Sequence, residues 1–278
     1  MKKMTRRKFL LYGAGAAALG ALGYACLFEP HFVEIVRRSL PVEHLPEKLR
    51  GSTLALISDL HVGPRVDSDY LIDSIRRIGP MNPDIVAITG DIIHFRNPER
   101  FVMLQRVLKE LPHGKRATVA VLGNHDYGHK WSEPDVAELV VAECNAAGVT
   151  VLRNETLDVD GLLLIGMDDF LANRFKPQEA LAQWNPERAA LVLCHNPDAL
   201  DLPGWGNYSG WVLSGHTHGG QCKPPFLPAP ILPVRNRLYS SGEISLPDGR
   251  RVYINRGLGY LHRVRFNVRP EITVFTLA

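Results

Sequence analysis

The chain has 278 residues, of which 45% are hydrophobic and 22% charged, the composition of an ordinary globular protein. This composition excludes collagen-like, disordered and polytopic membrane proteins, and four cysteines in so long a chain exclude a disulfide scaffold. The net charge of +3 comes from residues 1–8, which hold five Lys or Arg and no acid; the remainder carries −2. The charge therefore does not indicate a nucleic-acid-binding body, and we expect no nucleic-acid partner.

The first thirty residues have the pattern of a targeting segment. Behind the basic residues 1–8 lies an uncharged run, residues 9–28, that is rich in Ala, Gly and Leu and long enough to span a bilayer. Residues 5–10, Thr-Arg-Arg-Lys-Phe-Leu, resemble the twin-arginine export signal. We expect export by the twin-arginine machinery and a membrane-anchored or extracytoplasmic position in the cell envelope. The alternative is a basic N-terminus ahead of a buried helix.

The sequence leaves open whether this segment is cleaved. No good A-x-A site precedes Glu29, and the residues before Cys26 match a lipidation signal poorly. An uncleaved anchor is therefore the preferred interpretation.

Beyond residue 30 the hydrophobic pattern predicts strands alternating with helices, then a strand-rich half. The predicted elements are strands 32–36 and 54–58, helix 68–78, strand 84–89, helix 97–111, strand 117–122, helix 134–147, strands 149–152 and 162–166, helix 177–184, and strands 190–194, 211–214, 251–255 and 272–275. With no repeat and no linker, residues 31–278 form one predicted domain behind the targeting segment 1–30. The pattern favours an α/β fold of two packed mixed β-sheets flanked by helices.

Side chains of the types that commonly bind metals follow five of the predicted strands, at the point where each strand ends. In chain order they are Asp59, His61, Asp91, Asn124, His125, Asp126, His195, His216 and His218. Because ligands of α/β sheets bind at the carboxyl ends of the strands, we expect these side chains to converge on one edge. Their oxygen and nitrogen donors suit Mn, Fe or Zn better than Ca or Cu(I), and they suffice for two ions that share a carboxylate.

These motifs resemble those of the calcineurin-like metallophosphoesterases over residues 54–275. The motifs D-x-H, G-D, G-N-H-D, a single H and G-H-x-H occur in this order, and the later residues 255–259, Asn-Arg-Gly-Leu-Gly, look like the exported bacterial branch of the family. The resemblance implies an αββα sandwich. It also implies a phosphoesterase with two metal ions, which hydrolyses phosphate mono- or diesters by attack of a metal-bridging hydroxide.

The resemblance further implies a role for each residue. Asp59, His61, Asp91 and His218 would hold one ion of Mn, Fe or Zn, and Asp91, Asn124, His195 and His216 would hold the second. His125 would lie over the substrate phosphate and assist the leaving group. Asp126 would orient His125 by a hydrogen bond.

Residues 223–269 suggest what the substrate is. They carry nine Lys or Arg against two acids, and they begin with an apolar, proline-rich loop, residues 224–233. One interpretation is a solvated basic face beside a loop packed on the core. The other is an anionic, lipid-bearing substrate, such as a phospholipid or a UDP-diacylglucosamine-type pyrophosphate, near a membrane surface, with Arg256 as a candidate substrate ligand.

Two other functions remain as alternatives. They are a non-catalytic metal-binding scaffold of the same fold and a serine/threonine-type protein phosphatase. The oligomeric state is not indicated by the sequence.

Overall fold

The computed structural model of the chain describes residues 5–94 and 99–278. The helices are α1 (Arg6–Gly23), α2 (Ser68–Arg76), α3 (Glu99–Leu108), α4 (Pro134–Ala146) and α5 (Pro177–Ala180). The strands are β1 (Glu34–Leu40), β2 (Thr53–Ile57), β3 (Ile85–Thr89), β4 (Ala117–Val121), β5 (Thr150–Val151), β6 (Glu155–Val159), β7 (Leu162–Gly166), β8 (Ala190–Leu193), β9 (Trp211–Ser214), β10 (Gly242–Ser245), β11 (Arg251–Ile254) and β12 (Glu271–Leu277). Residues 97 and 98 of the predicted helix 97–111 lie outside the described residues.

The strands form two mixed sheets of six strands each. The first has the order β1-β12-β2-β3-β4-β5, and the second has the order β10-β11-β9-β8-β7-β6. Strands β2 to β5 run parallel to one another, as do β11, β9, β8 and β7, whereas β10 and β6 are antiparallel edges. The predicted fold class, two mixed sheets flanked by helices, is confirmed.

The core is layered because successive side chains of a strand point to opposite faces. Leu54 and Leu56 of β2 pack into the core between the two sheets. Ala55 and Ile57 of the same strand face the other way, into the core beneath the helices that cover the first sheet. Among those helices, α2 begins at the N-cap Asp67, whose side chain accepts backbone N–H bonds from the first turn. The sandwich thereby holds the carboxyl ends of its parallel strands at one edge.

Several predicted boundaries were wrong. The first strand spans Glu34–Leu40 rather than residues 32–36, because β1 lies beside β12 and tolerates exposed charges at its middle positions. Strands β6 and β10 were missed, since these edge strands are partly exposed and carry no continuous apolar run. Helix α5 ends at Ala180 rather than at residue 184.

The N-terminal helix is exposed, but the turn that follows it is docked on the domain. Residues Arg6–His31 are long and apolar enough to cross a membrane, with a mean hydropathy of 1.6. In the next turn, the Ala25 carbonyl accepts the backbone N–H of Arg265 at 2.9 Å. The buried Glu29 carboxylate accepts the N–H of Val268 at 2.7 Å. The apolar helix is therefore joined to the domain by a fixed turn.

Candidate metal centre

The loops that follow β2, β3, β4, β8 and β9 bring all the predicted metal ligands to one edge of the sandwich. Every one of them is buried: Asp59, His61, Asp91, Asn124, His195, His216 and His218. Backbone hydrogen bonds tie neighbouring loops together, from Asp59 N–H to Gly90 O at 3.0 Å and from Gly215 N–H to His195 O at 3.0 Å. The convergence expected from the strand ends is thus present in the structure.

The ligand loops turn so sharply that much of their backbone is left-handed. Asp59, His61, Asp91, His216 and His218 have φ angles between 47° and 69°. This region is uncommon for residues with a side chain and costs on the order of 1 kcal/mol at each position. Close approach also requires a glycine at 215, where a Cβ atom would lie 1.8 Å from the Ser58 hydroxyl. Backbone strain is concentrated at the predicted site, as is common at functional sites.

Three of the ligands form a first triad, which we call the Asp59 triad: Asp59, His61 and His218. His218 Nε2 lies 3.3 Å from Asp59 Oδ1 and 3.0 Å from His61 Nε2. Ser58 Oγ donates to the other carboxylate oxygen, Asp59 Oδ2, at 2.6 Å. Two ring nitrogens and a carboxylate oxygen that face one another form a donor set suited to a cation.

A second triad, the Asp91 triad, consists of Asp91, His195 and His216. His195 Nε2 lies 3.2 Å from Asp91 Oδ2 and 3.2 Å from His216 Nδ1. The same oxygen, Asp91 Oδ2, is 3.6 Å from His61 Nε2 of the Asp59 triad. The side-chain oxygen of Asn124, the residue before His125, is buried and has no hydrogen-bond partner among the described residues. A cation would satisfy such an oxygen.

The charges of the site also favour cations. Burial raises the pKa values of Asp59 and Asp91, but the adjacent histidines outweigh it and hold both below their usual range. Burial lowers the pKa of His195, yet the attraction of Asp91 outweighs it and raises this pKa to about 10. Two buried carboxylates therefore draw positive charge to this edge, and nitrogen and oxygen donors fit Mn, Fe or Zn.

His125 borders the two triads, and Asp126 lies behind it. The backbone N–H of His125 donates to Asp91 Oδ1 at 2.8 Å, and its half-buried ring lies 5.1 Å from the ring of His61. Asp126 does not make the predicted hydrogen bond to His125. Its two oxygens accept the backbone N–H groups of Gly123 at 2.8 Å and Ile93 at 2.9 Å, because the turn after β4 folds this carboxylate back onto its own start. Asp126 thus joins two ligand loops.

Arg256, the predicted substrate ligand, is paired with two carboxylates. Its Nε donates to the Glu271 carboxylate, and its Nη2 donates to Glu34 Oε2 at 3.0 Å. These two nitrogens form the fork with which an arginine would grip a phosphate. Two carboxylates already occupy this fork, and the role of Arg256 in substrate binding stays a prediction.

A second arginine of the same region, Arg265, lies against the candidate metal centre and was missed by the sequence analysis. Arg265 is 0% exposed, and its Nη2 donates to the carbonyls of Arg256 at 2.9 Å and Gly259 at 2.7 Å. The same nitrogen lies 3.4 Å from His218 Nδ1. Burial lowers the pKa of Arg265 to about 10. Nothing in the sequence distinguishes this arginine from its neighbours.

His94 was also missed. Its ring lies 4.7 Å from the ring of His125 and 5.8 Å from that of His61, between centroids. Its position three residues after Asp91 was the available signal, since a loop that places one ligand at the strand end holds its next few residues nearby.

Comparison with known proteins agrees with this geometry. The sequence profile of the calcineurin-like phosphoesterases matches residues 52–220. The chain is 34% identical over 298 aligned residues to the metallophosphoesterase YkuE of Bacillus subtilis, covering 100% of this chain and 99% of YkuE. It is 30% identical over 281 residues to the phosphodiesterase YaeI of Escherichia coli, covering 99% of both. It is 29% identical over 302 residues to the UDP-2,3-diacylglucosamine pyrophosphatase LpxG of Chlamydia trachomatis, covering 88% of this chain and 89% of LpxG.

Proposed function

Because the chain belongs to the calcineurin-like phosphoesterase family and is a metal-dependent phosphoric ester hydrolase, we propose that it acts with two metal ions. The observation that supports this is the position of Asp91 Oδ2, 3.2 Å from His195 Nε2 and 3.6 Å from His61 Nε2. One carboxylate oxygen thus lies within reach of both triads. In two-metal hydrolases, a carboxylate shared by both sites holds the two ions close together.

The seven ligands divide between the two ions. Asp59, His61, Asp91 and His218 would hold one, and Asp91, Asn124, His195 and His216 would hold the other. Ions of Mn, Fe or Zn supply charge that stabilises a phosphoryl transition state and lowers the pKa of water from about 15.7 toward 7.

The chain's own residues complete the site. His125, half-buried beside the Asp59 triad, donates a proton to the leaving-group oxygen, a contribution of about 10²–10⁴ in rate. Its backbone N–H to Asp91 fixes it relative to the shared carboxylate. Asp126 holds the loops after β3 and β4 in register by accepting from both.

The test uses the full chain, stripped with a chelator and reloaded with Mn²⁺, hydrolysing bis-p-nitrophenyl phosphate. His125→Ala should lower kcat by about 10²–10⁴ while two ions per chain remain bound. His129→Ala, which alters an exposed histidine on the next turn, is the matched control and should change little. A chain that holds two ions but hydrolyses no phosphoester would be a binding scaffold. Activity confined to phosphoserine peptides would identify a protein phosphatase.

A lipid-bearing substrate is supported by the loop at residues 224–233. Phe226 is fully exposed and Ile231 is 76% exposed, so the loop presents apolar side chains to its surroundings. At its end, the Pro233 carbonyl accepts from Nε2 of the ligand His216 at 3.0 Å. An apolar surface therefore begins directly at the metal centre.

The same loop begins beside the end of the N-terminal helix. A cavity between them is lined by Tyr24, Pro225 and Phe266, together with the polar residues Glu29, Glu34, Arg256, Asn267 and Arg269. We propose that this side of the protein faces a membrane and that the substrate is a phosphoester of a lipid, the class to which the substrate named for LpxG belongs.

Replacing Phe226 and Leu227 by Ser should lower activity on phospholipid vesicles on the order of tenfold, since apolar contact with the lipid is lost. Hydrolysis of bis-p-nitrophenyl phosphate should stay unchanged. Leu139→Ser, at an exposed leucine on α4, is the matched control. An equal loss on both substrates would show that the loop supports the site rather than the lipid.

We also propose twin-arginine export and retention of residues 1–30 as the anchor of the catalytic domain 31–278. The resemblance of residues 5–10 to the signal and the exposure of α1 support this. Changing Arg6 and Arg7 together to Lys should retain the protein in the cytoplasm, as measured by cell fractionation. Unchanged envelope localisation would contradict this export route.

A further inference from the structure

A cationic cluster lies at the rim of the metal centre, outside the Asp59 and Asp91 triads. It consists of Arg65 in the loop after β2, His94 in the loop after β3 and Arg100 in the first turn of α3. Arg65 Nη1 lies 3.2 Å from His94 Nε2. A guanidinium can only donate, so Nε2 of His94 accepts, and the neutral ring carries its proton on Nδ1.

Among the described residues, that proton has no acceptor. Nδ1 of His94 is buried and lacks a hydrogen-bond partner among the described residues. A buried donor without an acceptor is costly, by about 1–3 kcal/mol, and is found where a ligand completes the bond. An oxygen of an anion would be such an acceptor.

The surroundings of His94 are positive. Burial lowers its pKa, and together with the charges of His125, Arg65 and Arg100, against the opposing charge of Asp91, it brings this pKa to about 4. Gly63 lets this loop lie close to His94, since a Cβ atom there would lie only 3.3 Å from the His94 carbonyl. Asp91 is itself a shared metal ligand, so its charge is committed to the ions.

The cluster lies on the side of His125. The rings of His94 and His125 are 4.7 Å apart, whereas the fork of Arg256 is held by carboxylates. A group that leaves from the scissile phosphorus next to His125 would therefore meet Arg65 and His94.

We propose that Arg65, His94 and Arg100 form a subsite for a second phosphate, so that the substrate is a diphosphate diester with a P–O–P link. The proposal rests on the proposed two-metal function. Water adds to the phosphorus at the metal centre, and the bond from that phosphorus to the bridging oxygen breaks. The bridging oxygen departs with the second phosphate, which the subsite holds. Two phosphomonoesters form, and the protons of water pass to them or to the solvent.

The first experiment compares two substrates with the Mn²⁺-loaded full chain: UDP-N-acetylglucosamine, which has a diphosphate link, and bis-p-nitrophenyl phosphate, which has one phosphate. Arg65→Gln should raise KM for the diphosphate about tenfold, the effect of one lost charge-assisted hydrogen bond. KM for the monophosphate diester should stay within about twofold. Arg76→Gln, at an exposed arginine on α2 that pairs with Glu110, is the matched control. Equal effects on both substrates would overturn the subsite.

The second experiment separates the subsite from the catalytic function. Calorimetry with chelator-stripped protein measures the binding of inorganic pyrophosphate and of inorganic phosphate. Pyrophosphate should bind more tightly, and Arg65→Gln should remove most of the difference while Arg76→Gln keeps it. If neither UDP-N-acetylglucosamine nor bis-p-nitrophenyl phosphate is hydrolysed but pyrophosphate still binds more tightly than phosphate, the proposed function fails and the subsite stands. If Arg65→Gln leaves the difference intact, the subsite is wrong.

Discussion

The two triads of the metal centre use the same kinds of residue but hold their histidines differently. In the Asp91 triad, His195 Nδ1 donates to the Thr89 carbonyl at 2.7 Å, and His216 Nε2 donates to the Pro233 carbonyl at 3.0 Å. A carbonyl oxygen can only accept, so each outer nitrogen carries the proton. When a metal ion takes the place of the proton that Asp91 favours on His195, the inner nitrogen of each ring would present its lone pair to the centre.

The Asp59 triad lacks this arrangement. His61 Nδ1 is buried without a hydrogen-bond partner in the described part of the chain, and His218 Nδ1 faces the Arg265 guanidinium, itself a donor, at 3.4 Å. The two rings stack on each other, 5.0 Å apart, and are held mainly by packing. The comparison shows that one half of the centre is oriented by the backbone and the other is not. We expect the two ions to differ in affinity by about 10- to 100-fold, the usual effect of such outer hydrogen bonds.

The largest effect is expected from a substitution that disturbs both triads at once. Asp91→Asn removes the charge that the two triads share, so activity should fall by about 10³-fold and metal content should drop below one ion per chain. Elemental analysis and the kcat for bis-p-nitrophenyl phosphate measure this, with circular dichroism as a check on folding. Asp158→Asn, at an exposed aspartate on β6, is the control. Retention of two ions would show that the triads bind independently.

Stepwise metal titration distinguishes the halves. His195→Gln should abolish the tighter step, whereas His61→Gln should abolish the weaker one and leave the tighter step within about threefold of its original affinity. A fluorescent chelator that competes for Mn²⁺ or Zn²⁺ reports both constants. Two steps of equal affinity in the unaltered chain would contradict the difference between the triads.

Arg265 offers a smaller, one-sided change. Arg265→Lys keeps the charge but loses the planar guanidinium that donates to four backbone carbonyls, those of residues 256, 257, 259 and 268. The weaker metal step should weaken by about 3- to 10-fold while the tighter step stays in place. Arg263→Lys, at an exposed neighbour, serves as the control. An equal change in both steps would assign Arg265 to general stability.

The smallest effect concerns Asp169, buried at the end of β7 beside the Asp91 triad. Burial raises its pKa from 3.8 to about 7 in the folded state. The folded chain therefore holds the proton of Asp169 more tightly than the unfolded chain does. The contribution of Asp169 to the free energy of unfolding is fully present below about pH 4 and is lost as the pH rises through about 7. In chelator, Asp169→Asn should be more stable than the unaltered chain at pH 8, by up to about 2 kcal/mol, and similar at pH 4. Urea unfolding at the two pH values measures this, and an unchanged pH dependence would refute it.

The sequence was sufficient where burial and chain direction act locally. β2 and β3 are buried on both faces and so read as continuous apolar runs, and the ligands follow immediately where each strand ends. The edge strand β10 was missed because half-exposed strands carry no such run. Arg265 and His218 meet only through tertiary structure, across 47 positions of the chain. The guanidinium of Arg256 found carboxylates of β1 and β12, which no local pattern could reveal.

The docked turn after α1 has a consequence for how the proposed anchored enzyme would search for substrate. Ala25 and Glu29 bond directly to the segment that carries Arg265. With α1 as the proposed anchor, no flexible linker would separate the bilayer from the domain, so the tilt of the domain relative to the membrane would be restricted. A lipid substrate would then reach the site by lateral diffusion within the leaflet, in two dimensions instead of three.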